Sequence, residues 1–221
     1  MALTATVIAV HWRTEGIFEL ILERNGVAFT PGDCVALFAA DGQASRPYSL
    51  ASGTDDDTLR FLIRAMPGGE VSPYLGGLQP GDEVKLSPPF GWFRPGGQGA
   101  KGPSVFFATG TGIAPFMAYF RSPGARPPMR CYYGVRWRAD AMDVDWLRDR
   151  CDVRLAVSRE AASDAYHGRI TDLLDDCPIE SQAHYYLCGL DSMIDEISVW
   201  LEGQGIDLSR IHRECFFNAE P

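Results

Sequence analysis

Ser104 to Phe116 read SVFFATGTGIAPF. The apolar run SVFFAT stops at Gly110-Thr111-Gly112, and Pro115 opens the next apolar segment. A short apolar run bounded by glycines reads as a buried strand, and proline is favoured in the first turn of a helix. The stretch therefore predicts strand, tight turn and helix. Glycines in such a turn let the backbone approach a ligand, while the unpaired N–H groups of a helix start favour an anion. The spacing is Gly-x-Gly-x-x-Pro rather than the dinucleotide fingerprint Gly-x-Gly-x-x-Gly, so taken alone the turn also suits plain packing.

Towards the C-terminus the same rhythm repeats. APFMAYFR (114–121), VDWLRDR (144–150), ITDLLDD (170–176) and DSMIDEISVWLEGQG (191–205) read as helices. MRCYYGV (129–135), DVRLAVS (152–158), AHYYLCG (183–189) and IHRECFF (211–217) read as strands. Such alternation predicts a doubly wound parallel sheet covered by helices on both faces.

Towards the N-terminus the rhythm differs. TATVIAV (4–10), IFELILE (17–23), CVALFAA (34–40), RPYSLAS (46–52), TLRFLIRA (58–65) and DEVKLSPP (82–89) are six short β-rich runs, two of them entered through Pro-Gly-Asp. That tripeptide presets a turn, and strands at this spacing predict an antiparallel sandwich or barrel. One short helix is expected near VSPYLGGL (71–78), and the Gly/Pro-rich RPGGQGAKGP (94–103) reads as a loop or seam. Two domains follow, an antiparallel β-barrel at 1–98 and an α/β sheet at 99–221.

Composition narrows the function. Hydrophobic residues at 46% and charged residues at 22% of 221 give the profile of an ordinary globular protein, with no apolar run long enough for a membrane span. The opening MALTATVIAVHW reads as a first strand, not as a signal peptide. Six scattered cysteines without any Cys-x-x-Cys argue against a zinc or iron–sulfur site and read as free thiols in a reducing cytoplasm. A formal charge of −9 argues against nucleic acid, yet residues 84–139 carry eight basic side chains and no acid. A basic middle in an acidic chain points to an anion, either a phosphate or an acidic protein, unless it is simply a solvated face.

Three strand ends carry candidate chemistry. Cys188-Gly189 ends one strand where a ligand crevice would lie, although a small buried strand-end thiol needs no function. Ser158 and Arg159, with Arg169 beyond them, suit a terminal phosphate such as the 2′-phosphate of NADP; an N-cap serine beside a solvated arginine explains them equally. Arg46, Tyr48 and Ser49 in RPYS place a guanidinium, a phenol and a hydroxyl at close spacing in a strand.

Taken together, these stretches resemble the ferredoxin–NADP reductase superfamily of flavoproteins. RPYS (46–49) is similar to its flavin motif, GGEVSPYL (68–75) to its flavin-diphosphate segment, GTGIAP (110–115) to its nicotinamide phosphate loop, CGLDSM (188–193) to its Cys-Gly motif and HRECFF (212–217) to its closing strand. The resemblance implies that Arg46, Pro47, Tyr48, Ser49, Arg64, Gly69, Glu70, Val71, Ser72, Thr111 and Phe216 hold FAD. Tyr48 and Phe216 would flank the isoalloxazine ring, with Ser49 near N5. It implies that Gly110, Thr111, Gly112, Arg136, Ser158, Arg159, Arg169, Cys188 and Gly189 hold the nicotinamide nucleotide, with Arg138 an alternative to Arg136. Ser49, Cys188 and Glu214 would border the reacting atoms. FAD is favoured over FMN and NADP over NAD. The implied activity is hydride transfer from NADPH to flavin, with electrons passed singly to a ferredoxin, flavodoxin or oxygenase component. A reductase of a small acceptor (free flavin, quinone or ferric chelate) and a non-catalytic flavin-binding subunit are the alternatives. Without a four-cysteine ferredoxin module, the chain would need a separate acceptor.

Overall fold

The computed structural model describes residues 3–97 and 102–215. They divide into two compact units: one runs to Arg94 and includes Ala114–Ala125, and the other joins Pro95–Ile113 to the residues from Arg126 onward.

The first unit holds β1 (Leu3–Thr14), β2 (Ile17–Glu23), β3 (Cys34–Phe38), β4 (Ser45–Ser49), β5 (Thr58–Arg64), α1 (Val71–Gly76) and β6 (Glu83–Leu86). The six strands form one sheet in the order β4-β3-β6-β1-β2-β5, every pair antiparallel. Past β4, an antiparallel bridge pairs Leu50 with Phe61 of β5, and the Ala51 N–H donates to the Arg60 carbonyl at 2.8 Å, closing the sheet into a barrel. Strand alternation sends Phe18, Leu20 and Leu22 of β2 inward, where they meet Val35, Leu37, Phe61, Ile63, Val84 and Leu86. Glu19, on the opposite face of β2, is nonetheless buried, and it pairs with Arg13 and Arg60, each at 3.2 Å.

The two Pro-Gly-Asp turns are built alike. Gly32 and Gly81 take φ of 92° and 96°, as a type II turn asks of its third residue. Asp33 and Asp82 each turn a carboxylate back to the backbone N–H three residues earlier, Thr30 at 2.8 Å and Gln79 at 2.7 Å. The same unit includes α2 (Ala114–Arg121). Its Arg121 guanidinium donates to the Ala51 carbonyl at 2.6 Å, and Phe116 stacks edge-on against Phe93 with ring centres 5.7 Å apart.

The second unit contains β7 (Ser104–Thr109), β8 (Arg130–Val135), α3 (Val144–Arg148), β9 (Val153–Val157), β10 (Tyr166–His167), β11 (His184–Gly189), α4 (Asp191–Gly203) and β12 (Ile211–Cys215). The parallel sheet runs β10-β9-β8-β7-β11-β12. On one face Val105, Phe107, Tyr132, Tyr185 and Leu187 pack against Ile194, Ile197 and Leu201 of α4. The expected helix at 170–176 forms as a tighter 3₁₀ turn, and the two-residue edge strand β10 is an element that local periodicity did not announce. Chain order reverses between β7 and β11, which makes the C-terminal ends of these two strands the topological switch point where ligands of such sheets bind.

Candidate functional site

The barrel unit carries one group of expected residues. Arg46 and Pro47 are exposed on β4, an outer strand of the sheet order. Proline suits such a strand because it has no N–H to give a second partner. The Arg46 guanidinium donates to the Ser45 carbonyl at 2.8 Å, and among the described residues no carboxylate pairs with it. Tyr48 is half-buried against the barrel core; burial pushes its phenol up to about 12, with Arg46 pulling the other way. Ser49 is buried, its hydroxyl 3.4 Å from the Cys34 thiol.

Arg64 closes β5, and the chain then turns into α1. There the Gly69 N–H donates to the Met66 carbonyl at 2.9 Å. Glu70 is exposed at the start of α1, while Val71 and Ser72 are buried and the Ser72 hydroxyl accepts the Met66 N–H at 3.0 Å. The Leu50–Phe61 bridge sets β4 antiparallel to β5, so Arg46–Tyr48 lie towards the end of β5 that leads into Gly69–Ser72.

The sheet unit builds the second group at its switch point. The 3₁₀ turn Gly110–Ile113 follows β7, and Gly112 sits so close to β11 that a β-carbon there would lie 2.4 Å from the Cys188 carbonyl oxygen. Only glycine fits such an approach. A β-carbon on Gly189 would likewise lie 2.1 Å from the Thr109 hydroxyl, which accepts the Leu190 N–H at 2.9 Å. Thr109 thus stitches the two strand ends together; it was missed in the sequence, although a hydroxyl at a strand end beside a Gly turn was the available signal. Parallel pairing of β11 with β12 sets Cys188 opposite Glu214, the thiol 3.7 Å from the carboxylate. Cys188 is fully buried and Glu214 partly so.

Further along the same sheet edge, the Ser158 N–H donates to the Val135 carbonyl at 3.0 Å and the Arg159 N–H to the Arg136 carbonyl at 2.9 Å. These bonds bring Arg136, Ser158 and Arg159 side by side, all exposed. Arg169 is exposed too, its N–H held by the Asp172 carboxylate at 2.8 Å. Among the described residues no carboxylate pairs with the side chains of Arg136, Arg159 or Arg169. Arg138 differs. It forms an ion pair with Asp164 at 2.9 Å, and Arg148 reaches the same carboxylate at 3.0 Å. The hydrogen bond from Arg138, with that from Arg148, holds the Asp164 carboxyl down to about 2.

The basic stretch is similarly divided: Arg94 pairs with Asp33 at 2.8 Å, Arg130 with Asp152 at 2.8 Å, and Arg121 holds a backbone carbonyl. Phe216 lies outside the described residues. Among the described residues no cluster of three or more side chains could hold a metal ion, and no helix is long and apolar enough to cross a membrane.

Comparison with known proteins agrees with this arrangement. The family model described as oxidoreductase FAD-binding domain matches residues 10–94, and that of the oxidoreductase NAD-binding domain matches residues 106–198. The toluate 1,2-dioxygenase electron transfer component of Pseudomonas putida is 30% identical over 87% of this chain and 60% of its own length. The reductase component of the naphthalene 1,2-dioxygenase/salicylate 5-hydroxylase systems of Ralstonia sp is 30% identical over 96% of this chain and 68% of that protein. This chain therefore spans only part of these relatives, less than two thirds of the first. Among solved structures, the Amycolatopsis cytochrome P450 reductase GcoB superposes with a TM-score of 0.86 at 29% identity, over 100% of this chain and 71% of that one. A ferredoxin NADP+ reductase from Neisseria gonorrhoeae with bound FAD and NADP gives 0.85 over 98% and 99%, at 20% identity, a likeness of fold alone. The chain belongs to the ferredoxin–NADP reductase superfamily, with an oxidoreductase FAD-binding domain followed by an oxidoreductase NAD-binding domain.

Proposed function

We propose that the chain is an NADPH-dependent flavoprotein reductase that delivers electrons one at a time to a ferredoxin, flavodoxin or oxygenase component, with residues 1–98 binding FAD and 99–221 the nucleotide. When bound, FAD supplies the hydride-accepting and one-electron chemistry; the chain supplies binding, alignment and electrostatics. Arg46, exposed and without a carboxylate partner among the described residues, would meet a phosphate, and Tyr48, half-buried on the same strand, would offer a ring face. Ser49 and Ser72 present buried hydroxyls beside them, and Arg64, Glu70 and Val71 frame the same end of the barrel. In the sheet unit, Gly110, Thr111 and Gly112 would form the turn on which a pyrophosphate lies, with Gly112 packed against the Cys188 carbonyl, while Cys188 and Glu214 would frame the nicotinamide position, the thiol donating a hydrogen bond to the carboxylate.

The observation that carries the reading is the switch point itself, where Thr109 and Gly112 on one side and Cys188 to Leu190 on the other close to contact distance. The choice of NADP over NAD rests on three exposed arginines beside Ser158, Arg136, Arg159 and Arg169, which have no carboxylate partner among the described residues. A ferredoxin or oxygenase component as partner is supported by the relatives, which are components of dioxygenase systems. Six cysteines without a disulfide suit a reducing cytoplasm.

An anaerobic spectrum tests the reading. The purified protein should show a flavin band at about 450 nm that bleaches faster with NADPH than with NADH. Faster bleaching with NADH would overturn the cofactor choice, and a flavin indifferent to both would overturn the reductase.

A further inference from the structure

Most large apolar side chains of the barrel unit are buried, but Trp92 is 93% exposed and Phe90, two residues earlier, 45%. The loop beneath them is tightly held. Phe90 exchanges both backbone hydrogen bonds with Cys34, at 2.7 and 2.9 Å. Phe93 turns inward, is 5% exposed and stacks on Phe116. Arg94 then clasps the loop from below. Its guanidinium donates to the carbonyl of Gly91 at 2.9 Å and to that of Phe93 at 2.8 Å, on either side of Trp92, and is anchored on the buried Asp33 at 2.8 Å. An indole in water on a mobile loop would need no explanation. One presented by a half-buried ion pair and two carbonyl bonds sits on a pre-organised loop, because little backbone entropy remains to be lost there on binding.

Its place on the barrel is equally specific. Cys34 pairs with Ser49 on one side and with Phe90 on the other, so Ser49 and Phe90 stand two strand spacings apart, about 10 Å. We propose that Trp92 and Phe90 are the apolar centre of the surface on which the protein electron acceptor docks, a partner with an acidic rim; this rests on the reductase reading given above, in which Ser49 borders the flavin. Charge selects the partner. From 84 to 94 the sequence holds no carboxylate, the exposed Lys85 and the clasping Arg94 lie within seven residues of Trp92, and Asp33, the acid held against the loop, is neutralised by Arg94. In a chain of net charge −9 this is a place where an acidic protein meets no repulsion from the loop itself. Aromatic side chains at such centres supply most of the binding energy, and the surrounding charges set the encounter rate.

The test measures NADPH-driven reduction of a [2Fe–2S] ferredoxin and, separately, of ferricyanide, which needs no docking surface. Trp92→Ala should raise the KM for ferredoxin about thirtyfold, the loss of one aromatic hot spot, with Trp92→Phe recovering part of it. The ferricyanide rate and the melting temperature should not change in either variant, since the indole packs on nothing inside the barrel. An unchanged ferredoxin KM in Trp92→Ala would overturn the proposal. So would a wild type that reduces ferricyanide but not ferredoxin, or self-association that Trp92→Ala abolishes, which would assign the indole to a second copy of the chain. Failure of the wild type to reduce even ferricyanide would fall on the reductase reading instead.

Discussion

Replacing Gly112 by alanine adds one methyl group at the tightest point of the switch region. That β-carbon would lie 2.4 Å from the Cys188 carbonyl oxygen, 2.8 Å from its carbon and 2.9 Å from the Gly189 α-carbon. All three are backbone atoms, so no side chain can rotate away. Ordinary contact begins near 3.4 Å, and the 110–113 turn or the end of β11 must therefore move by about 1 Å. Overpacking of this kind costs about 1–3 kcal/mol, while any Gly→Ala change returns about 0.4–1 kcal/mol by restricting the unfolded chain. The net loss of about 1–2 kcal/mol corresponds to a fall of about 3–6 °C in melting temperature for a chain of this length. Displacing the nucleotide-binding turn by that distance should also lower kcat/KM for NADPH by as much as a hundredfold, roughly, through misalignment. Gly203→Ala is the control, because a β-carbon there has no neighbour within 4 Å. Thermal melts and steady-state ferricyanide reduction on the two variants decide the matter. If Gly112→Ala matches Gly203→Ala in melting temperature and kcat/KM, the close packing of turn against strand is not what shapes the site.

Arg159→Ala should raise the KM for NADPH about tenfold or more while leaving that for NADH within about twofold, since only NADPH carries the extra phosphate; equal losses would remove Arg159 from phosphate recognition. Tyr48→Ala should weaken FAD binding to the apoprotein about tenfold, with Tyr48→Phe near wild type, and unchanged affinity in the alanine variant would sink the ring-face role. His184 and His212 meet ring nitrogen to ring nitrogen at 2.9 Å, and both have their pKa lowered. Burial is the larger cause in each, with Arg210 adding to it at His184 and His184 at His212. The folded state thus binds fewer protons than the unfolded one, so the stability these rings contribute is complete above the unfolded value of 6.5 and declines as the pH falls below it. Denaturant midpoints at neutral pH and one unit below 6.5 should differ in the wild type and converge in a His184→Gln/His212→Gln variant; an equal pH dependence in both would refute the assignment.

The strands were legible because each is short, apolar on a period of two or throughout, and bounded by turn residues whose chemistry is local. The two Pro-Gly-Asp turns illustrate this, for their hydrogen bonds close within three residues. The resemblance, not the strand pattern, brought Cys188 and Glu214 together, and the parallel register sets them opposite each other. What escaped were pairings set by the fold rather than by neighbours in sequence. Arg138 looked as available as Arg136, but Asp164, 26 residues on, takes it. Glu19 lies on the outward face of β2, and its burial is set by β1 and β5, which bring an arginine to each side. Helical periodicity at 170–176 was real, yet seven residues docked on the sheet settled into the tighter 3₁₀ form.

The barrel's interior is filled by Phe18, Leu20, Phe61 and Ile63, and its wall closes between β4 and β5 only from Leu50 and Phe61 onward. Upstream of that bridge the edge of β4 carrying Arg46, Pro47 and Tyr48 has no ladder partner on the β5 side among the described residues. A cylinder that is solid inside and slit along one side has no cup to fill. On the function proposed above, the flavin would be worn on that slit, as a blade lies in the edge of its sheath.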